Sequence, residues 1–274
     1  GRVPAALQGI TGLKPSLGAI STSGVVPACR TLDCVSIFAA TAAEARAVFD
    51  VAQGFDAADP YARRLVFDAP GLSWDRLKLG VPSRATRRFL GDDAAEAAFD
   101  ATLARLTTLG AAPVEIDFAP FFETAALLYE GPWVAERYAA VRPLIESAPG
   151  ALHTVTRGII EGARRHSAAD AFEAFYRLAA LRRAIEPVWA AIDVLAVPTA
   201  ATLYTVDEVL ADPLRTNSNL GLYTNFTNLL DLCALALPGA ERSDGRPSGL
   251  TLIAPAGRDA VIADLAVTLE RRPP

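Results

Sequence analysis

Arg137 is the residue of this chain whose chemistry is hardest to satisfy. It falls in the segment Leu127-Leu-Tyr-Glu-Gly-Pro-Trp-Val-Ala-Glu-Arg-Tyr-Ala139. Pro132 lacks an amide donor and fits a helix only in its first turn, with Gly131 ahead of it as a cap. In the helix that follows, the residues three and four positions from Arg137 are Trp133, Val134, Ala140 and Val141. All four are apolar, so no acid is placed to pair with the guanidinium locally. An arginine on an apolar stripe must find an anion or reach water. Tyr129, eight residues earlier, would lie about 80° around and about 12 Å along an ideal helix, from where the two side chains can converge on one small anion. A core tyrosine and an arginine paired with a distant acid fit the same residues equally well.

Other reactive side chains are few. Cys29, Cys34 and Cys233 are odd in number and form no C-x-x-C, which points to neither a disulfide framework nor a zinc site. The two histidines, His153 and His166, lie in polar helical stretches and are expected at the surface or a rim, so no histidine-rich metal centre is expected. Reduced cysteines suit a cytoplasmic location. The net charge of −5 offers no basic footprint for nucleic acid. Arginine outnumbers lysine 24 to 2, because Lys14 and Lys78 are the only lysines among 26 basic residues, yet the arginines are spread along the chain rather than clustered. No apolar run reaches membrane-spanning length, and no membrane partner is expected. Apolar residues make up 51% and charged residues 21% of the 274, enough for a substantial core.

The elements that must position Arg137 follow from pattern. Helical and strand-like segments alternate, which favours an α/β fold. Thr41-Ala-Ala-Glu44 is a capping box opening a helix to about residue 54. Residues 55–76 read as a loop and 77–82 as a short strand. Asp92 or Asp93 caps a helix with the apolar line Phe99, Leu103, Leu106, closed by Gly110. A half-buried strand is expected over 113–118, then helical stretches over about 121–146, 151–166 and 168–191, the last opened by Ser167 and Asp170. The apolar runs 193–198, 233–238 and 249–254 read as strands buried on both faces, followed by a helix over 258–270. Gly9, Gly12 and Gly18 read as turns.

The first residues, Gly1-Arg2-Val3-Pro4-Ala5 followed by Gly12-Leu13-Lys14-Pro15, resemble the second half of the amidase signature, G-S-x-R-x-P-A followed by G-L-K-P. Within that family, several stretches look like the allophanate hydrolases: Tyr129 to Arg137, Ser21 to Phe38, Ile192 to Thr199, Thr202-x-Tyr204-Thr-Val206, Asn219 to Phe226 and Asn228 to Ala236. The likeness spans nearly the whole chain. It departs at Pro238-Gly-Ala-Glu-Arg-Ser-Asp-Gly-Arg-Pro-Ser248-Gly249, where P-A-G-F-x-x-D-G-L-P-F-G is expected.

The resemblance implies an amidase-signature fold, a mixed central sheet flanked by helices, with residues 1–274 as the C-terminal portion of a single domain. It implies Ser-Ser-Lys amide hydrolysis through an acyl-enzyme, acting on a small anionic amide, allophanate, whose carboxylate end Tyr129 and Arg137 bind. It implies no cofactor, and pairing as a homodimer. The nucleophilic serine would fall one residue before Gly1, with the bridging serine and base lysine further upstream. No catalytic residue is therefore assigned here, and the chain alone is expected to be inactive. Lys14 is expected to be structural and Arg2 to orient the nucleophile loop. The alternatives are a broad amidase, an aminoacyl-tRNA amidotransferase subunit, or a non-catalytic remnant. A carboxylate-binding arginine separates allophanate from neutral amides.

Overall fold

Three of the expected strands carry apolar residues at nearly every position because they form the middle of a sheet covered on both sides. The computed structural model describes residues 1–67 and 71–271. Of the loop expected over 55–76, residues 68–70 lie outside that range. Among the described residues the strands are β1 (Thr11–Lys14), β2 (Ile37–Ala39), β3 (Lys78–Pro82), β4 (Ala112–Ile116), β5 (Val194–Pro198), β6 (Leu232–Pro238) and β7 (Gly249–Pro255). Their order across the sheet is β2-β1-β6-β7-β5-β3-β4. β3 runs parallel to β4 and β5, and the other pairs are antiparallel. The sheet is therefore mixed, as the amidase resemblance implies.

Side-chain alternation divides the core into two layers. Cys233, Leu235 and Leu237 of β6 enter one apolar cluster, while Leu232 and Ala234 enter the other. Ile253 of β7 separates from Leu252 and Ala254 in the same way. The α-helices among the described residues are α1 (Arg2–Leu7), α2 (Ala42–Ala52), α3 (Asp93–Thr108), α4 (Ala119–Glu130), α5 (Val134–Ser147), α6 (Thr154–Glu161), α7 (Ala168–Ala191), α8 (Val206–Ala211), α9 (Pro213–Leu220), α10 (Phe226–Leu229) and α11 (Asp259–Glu270). Phe49, Phe99 and Ile262 bring α2, α3 and α11 to the first cluster, and Phe121, Leu178 and Phe226 bring α4, α7 and α10 to the second. The capping boxes at Thr41 and Ser167 form, and Asp92 is the residue that caps α3. No helix among the described residues is long and apolar enough to cross a membrane.

Three expectations need correction. The helical stretch over 121–146 is two helices, α4 and α5, with Gly131 ending the first and Trp133 capping the second. The cause is local: Pro132 cannot donate to the preceding turn, so the hydrogen-bond ladder stops there. The stretch over 151–166 is mostly short: α6 has eight residues, with 3₁₀ turns at Pro149–Ala151 and Gly162–Arg165. Gly12 is no turn; it lies inside β1, and a Cβ there would stand 2.6 Å from the Ala5 Cβ of α1. A Cβ at Gly249 in β7 would likewise stand 2.4 Å from the Ala6 Cβ. Two missing side chains therefore let α1 lie directly on the sheet.

The segment where the chain departs from the expected pattern is held by Arg242, only 5% exposed. Its guanidinium binds the α3 cap Asp92 at 3.0 Å and Asp244 at 2.6 Å. The Arg242 hydrogen bond keeps the Asp244 carboxyl well below its ordinary range. Asp244 matches the aspartate of the expected pattern, whereas the two expected phenylalanines fall on Glu241 and Ser248.

Because α1 is seated on Gly12, adding one methyl there should overpack the contact. Gly12→Ala should cost about 1–3 kcal/mol, read as a lower urea midpoint at unchanged slope. Gly54→Ala, where a Cβ meets nothing within 4 Å, should stay within about 0.5 kcal/mol of the parent.

Candidate active site

α1 begins at Arg2, so its seating on the sheet fixes where Gly1 stands. Gly1 and Arg2 form one wall of a cavity of about 250 Å³. The loop 28–33, the junction of α4 and α5, and the segment around α10 complete it through Cys29, Asp33, Arg137 and Asn228. Residues far apart in sequence therefore meet here because α1, α4 and α10 all lie over the same face of the sheet.

Two guanidinium groups line the cavity. Arg2 is 8% exposed; its Nη2 donates to the Thr224 carbonyl at 2.8 Å, and its Nη1 is buried without a hydrogen-bond partner. Burial lowers its pKa to about 10. Arg137 has a buried Nε without a partner, and no ion pair engages it among the described residues. Its guanidinium rests 5.1 Å from the ring centre of Tyr129, within cation–π range. The only carboxylate on the cavity wall among the described residues, Asp33, is already satisfied by the amides of Ala28 and Cys29 at 2.9 and 3.0 Å. Asn228 donates from Nδ2 to the Leu32 carbonyl at 2.7 Å, and its Oδ1 is buried without a partner. Buried donors left unpaired are costly, and two cations against one satisfied acid suit a small anion.

Of the two alternatives left open by sequence, the described residues provide neither a core tyrosine nor a paired arginine. Tyr129 is 44% exposed, lies on α4 rather than on one helix with Arg137, and supports the guanidinium from outside the cavity wall. Arg137 lines the cavity. Lys14 lies buried in β1 with its amine donating to the Pro15 carbonyl, and burial pushes its pKa down. It is not among the cavity's lining groups. His153 is exposed and His166 half-buried, both at ends of short helical turns. Asn228 and Cys29 lie in stretches that carry the family resemblance, but each comes from a segment too short or irregular for periodicity to assign it to the cavity.

Cys29 is the one thiol on the cavity wall among the described residues, and its environment is wrong for a nucleophile. It donates to the Trp133 carbonyl at 3.8 Å. Burial, then the neighbouring Glu136 charge, pushes it up to about 12. Burial also raises Cys34 and Cys233.

Comparison with known proteins follows the same geometry. The family model described as Amidase matches residues 1–262. Urea amidolyase of Saccharomyces cerevisiae is 39% identical over 269 residues, which are 97% of this chain and 15% of that protein. The structure of Kluyveromyces lactis allophanate hydrolase superposes with a TM-score of 0.94 at 40% identity, covering 98% of this chain and 44% of that one. A glutamyl-tRNA(Gln) amidotransferase subunit from Aromatoleum aromaticum is 29% identical over 92% of this chain and 58% of its own length. The chain thus spans less than two thirds of each of these relatives.

With its thiol near 12, Cys29 presents roughly one thiolate in ten thousand molecules at pH 8. All three thiols should therefore react slowly with an aromatic disulfide reagent in the folded protein and at once in denaturant. Fast labelling of Cys29 in the folded state would contradict the environment described.

Proposed function

The chain belongs to the amidase family, and from that premise we propose that it forms the substrate-anchoring part of an enzyme hydrolysing the terminal amide of allophanate. The observation that carries the reading is Arg137: an unpaired guanidinium on the wall of a cavity that begins at Gly1. By the signature resemblance the nucleophilic serine would stand immediately before Gly1. An amide held with its carboxylate on Arg137 would then have its carbonyl within the same small cavity.

The chemistry follows from that placement. The serine oxygen attacks the amide carbon, ammonia leaves, and an acyl-enzyme remains for water to cleave. Arg137 supplies charge-assisted hydrogen bonds to the carboxylate in substrate and transition state alike, so it binds and orients rather than reacts. Tyr129 assists by stacking beneath the guanidinium, and Arg2 holds the start of α1 through its bond to Thr224. One continuous sheet from β1 to β7 supports reading residues 1–274 as part of one amidase-signature domain. A small anionic amide is the substrate class, and the reduced thiols suit a cytoplasmic enzyme.

Losing the carboxylate contact would cost roughly 1.5–3 kcal/mol. In the full-length protein, Arg137→Ala should lower kcat/KM for allophanate about 10- to 100-fold, with little effect on a simple neutral amide. Steady-state ammonia release on both substrates measures this. Equal loss on both would make Arg137 structural and favour the neutral-amide or amidotransferase readings.

A further inference from the structure

We propose that Glu136 is a positioning residue for Arg137, a latch that sets the guanidinium against the cavity; the proposal rests on the carboxylate reading of Arg137. The helix that carries both residues is weakly held. α5 buries only Val134 and Ile145, begins at the break after Gly131, and packs mainly on α6 and the 3₁₀ turns beside it. Arg137 forms no hydrogen bond to the protein among the described residues. Its guanidinium rests instead on the Tyr129 ring, a contact that restrains distance from the ring more than position along it. Something else must fix α5 relative to the cavity wall.

Glu136 is placed to do so. One carboxylate oxygen accepts from the Thr31 backbone N–H at 2.8 Å, and the other accepts from the Thr31 hydroxyl. Thr31 lies in the loop 28–33, which contributes Ala28, Cys29, Leu32 and Asp33 to the cavity. That loop is itself well tied: Asp33 closes it through two amides, and Asn228 anchors it to α10 through the Leu32 carbonyl. The clamp therefore joins a well-fixed wall to a loosely fixed helix, one residue from the guanidinium. The Cys29 thiol reaching the Trp133 carbonyl adds a second, weaker tie at the start of α5. Thr31 is exposed, and exposed polar contacts of this kind add little to global stability. The consequence of losing the clamp falls on local geometry, where small misplacements of a binding group have large effects.

The test compares Glu136→Ala, Thr31→Val and Thr31→Ser in the full-length protein, with allophanate and a simple neutral amide as substrates. Glu136→Ala should raise KM for allophanate about tenfold with kcat nearly unchanged, and leave the neutral amide and the thermal midpoint unaltered. Thr31→Val, which keeps the backbone donor, should give a smaller rise in the same direction. Thr31→Ser, which keeps both donors, should behave like the parent, and Glu136→Ala/Thr31→Val should be no worse than Glu136→Ala alone. Equal KM increases on both substrates, or no change on either, would overturn the latch. Arg137→Ala, run alongside, separates the two readings: if it is selective for allophanate while Glu136→Ala is not, only the latch falls. If Arg137→Ala is itself unselective, the carboxylate reading fails and takes the latch with it.

Discussion

Two absent side chains hold this architecture together. Gly12 in β1 and Gly249 in β7 leave gaps that Ala5 and Ala6 fill, so α1 lies closer to the sheet than any residue with a Cβ would allow. Gly249, Thr251 and Ile253 alternate onto one face of β7, and Gly12 occupies the corresponding face of β1 opposite Ala236. That face also carries α4, α7 and α10 through the second apolar cluster. The helix that begins at the cavity and the helices that complete it therefore share one platform. Movement of α1 by the width of a methyl group would shift Gly1 and Arg2 together, and with them a wall of the site.

The cavity asks little of the fold, because its charged groups are partly satisfied by local partners. Arg2 gives one nitrogen to the Thr224 carbonyl and keeps another free. Arg137 is supported by an aromatic face, which accepts a cation without saturating its N–H donors. Asp33 is turned back on its own loop and does not neutralise either arginine. The outcome is positive potential in a confined space of about 250 Å³, with donors already desolvated and ready for an anion. The same groups, each paired with its own acid, would build a wall that bound nothing.

The sequence displayed the parts of this arrangement that depend on near neighbours. The capping pairs Thr41–Glu44 and Ser167–Asp170 and the cap Asp92 work over three residues, and each is where the pattern put it. The strands β5, β6 and β7 were visible because burial on both faces removes polar residues almost altogether. Arg137 stood out for lack of an acid within a helical turn. What was hidden was set by distance or brevity. β1, β2 and α8 to α10 span three to eight residues, too short to display a period. Gly12 read as a turn because a close helix approach leaves the same mark in sequence as a bend. The Thr31–Glu136 and Arg242–Asp92 contacts join residues more than a hundred positions apart, and neither side announces the other.

Sheet and periphery divide the labour in this fold. The platform of β1, β6 and β7 is buried on both faces, and almost every residue there is committed to packing. α5 is committed to very little: two buried residues, a break at one end and a hydrogen-bonded clamp to loop 28–33. Changing what α5 presents to the cavity alters charge and reach on that wall without disturbing the seat of α1. The least disruptive variation of the cavity is therefore at the α4–α5 junction, while the wall where α1 begins is constrained by the sheet beneath it.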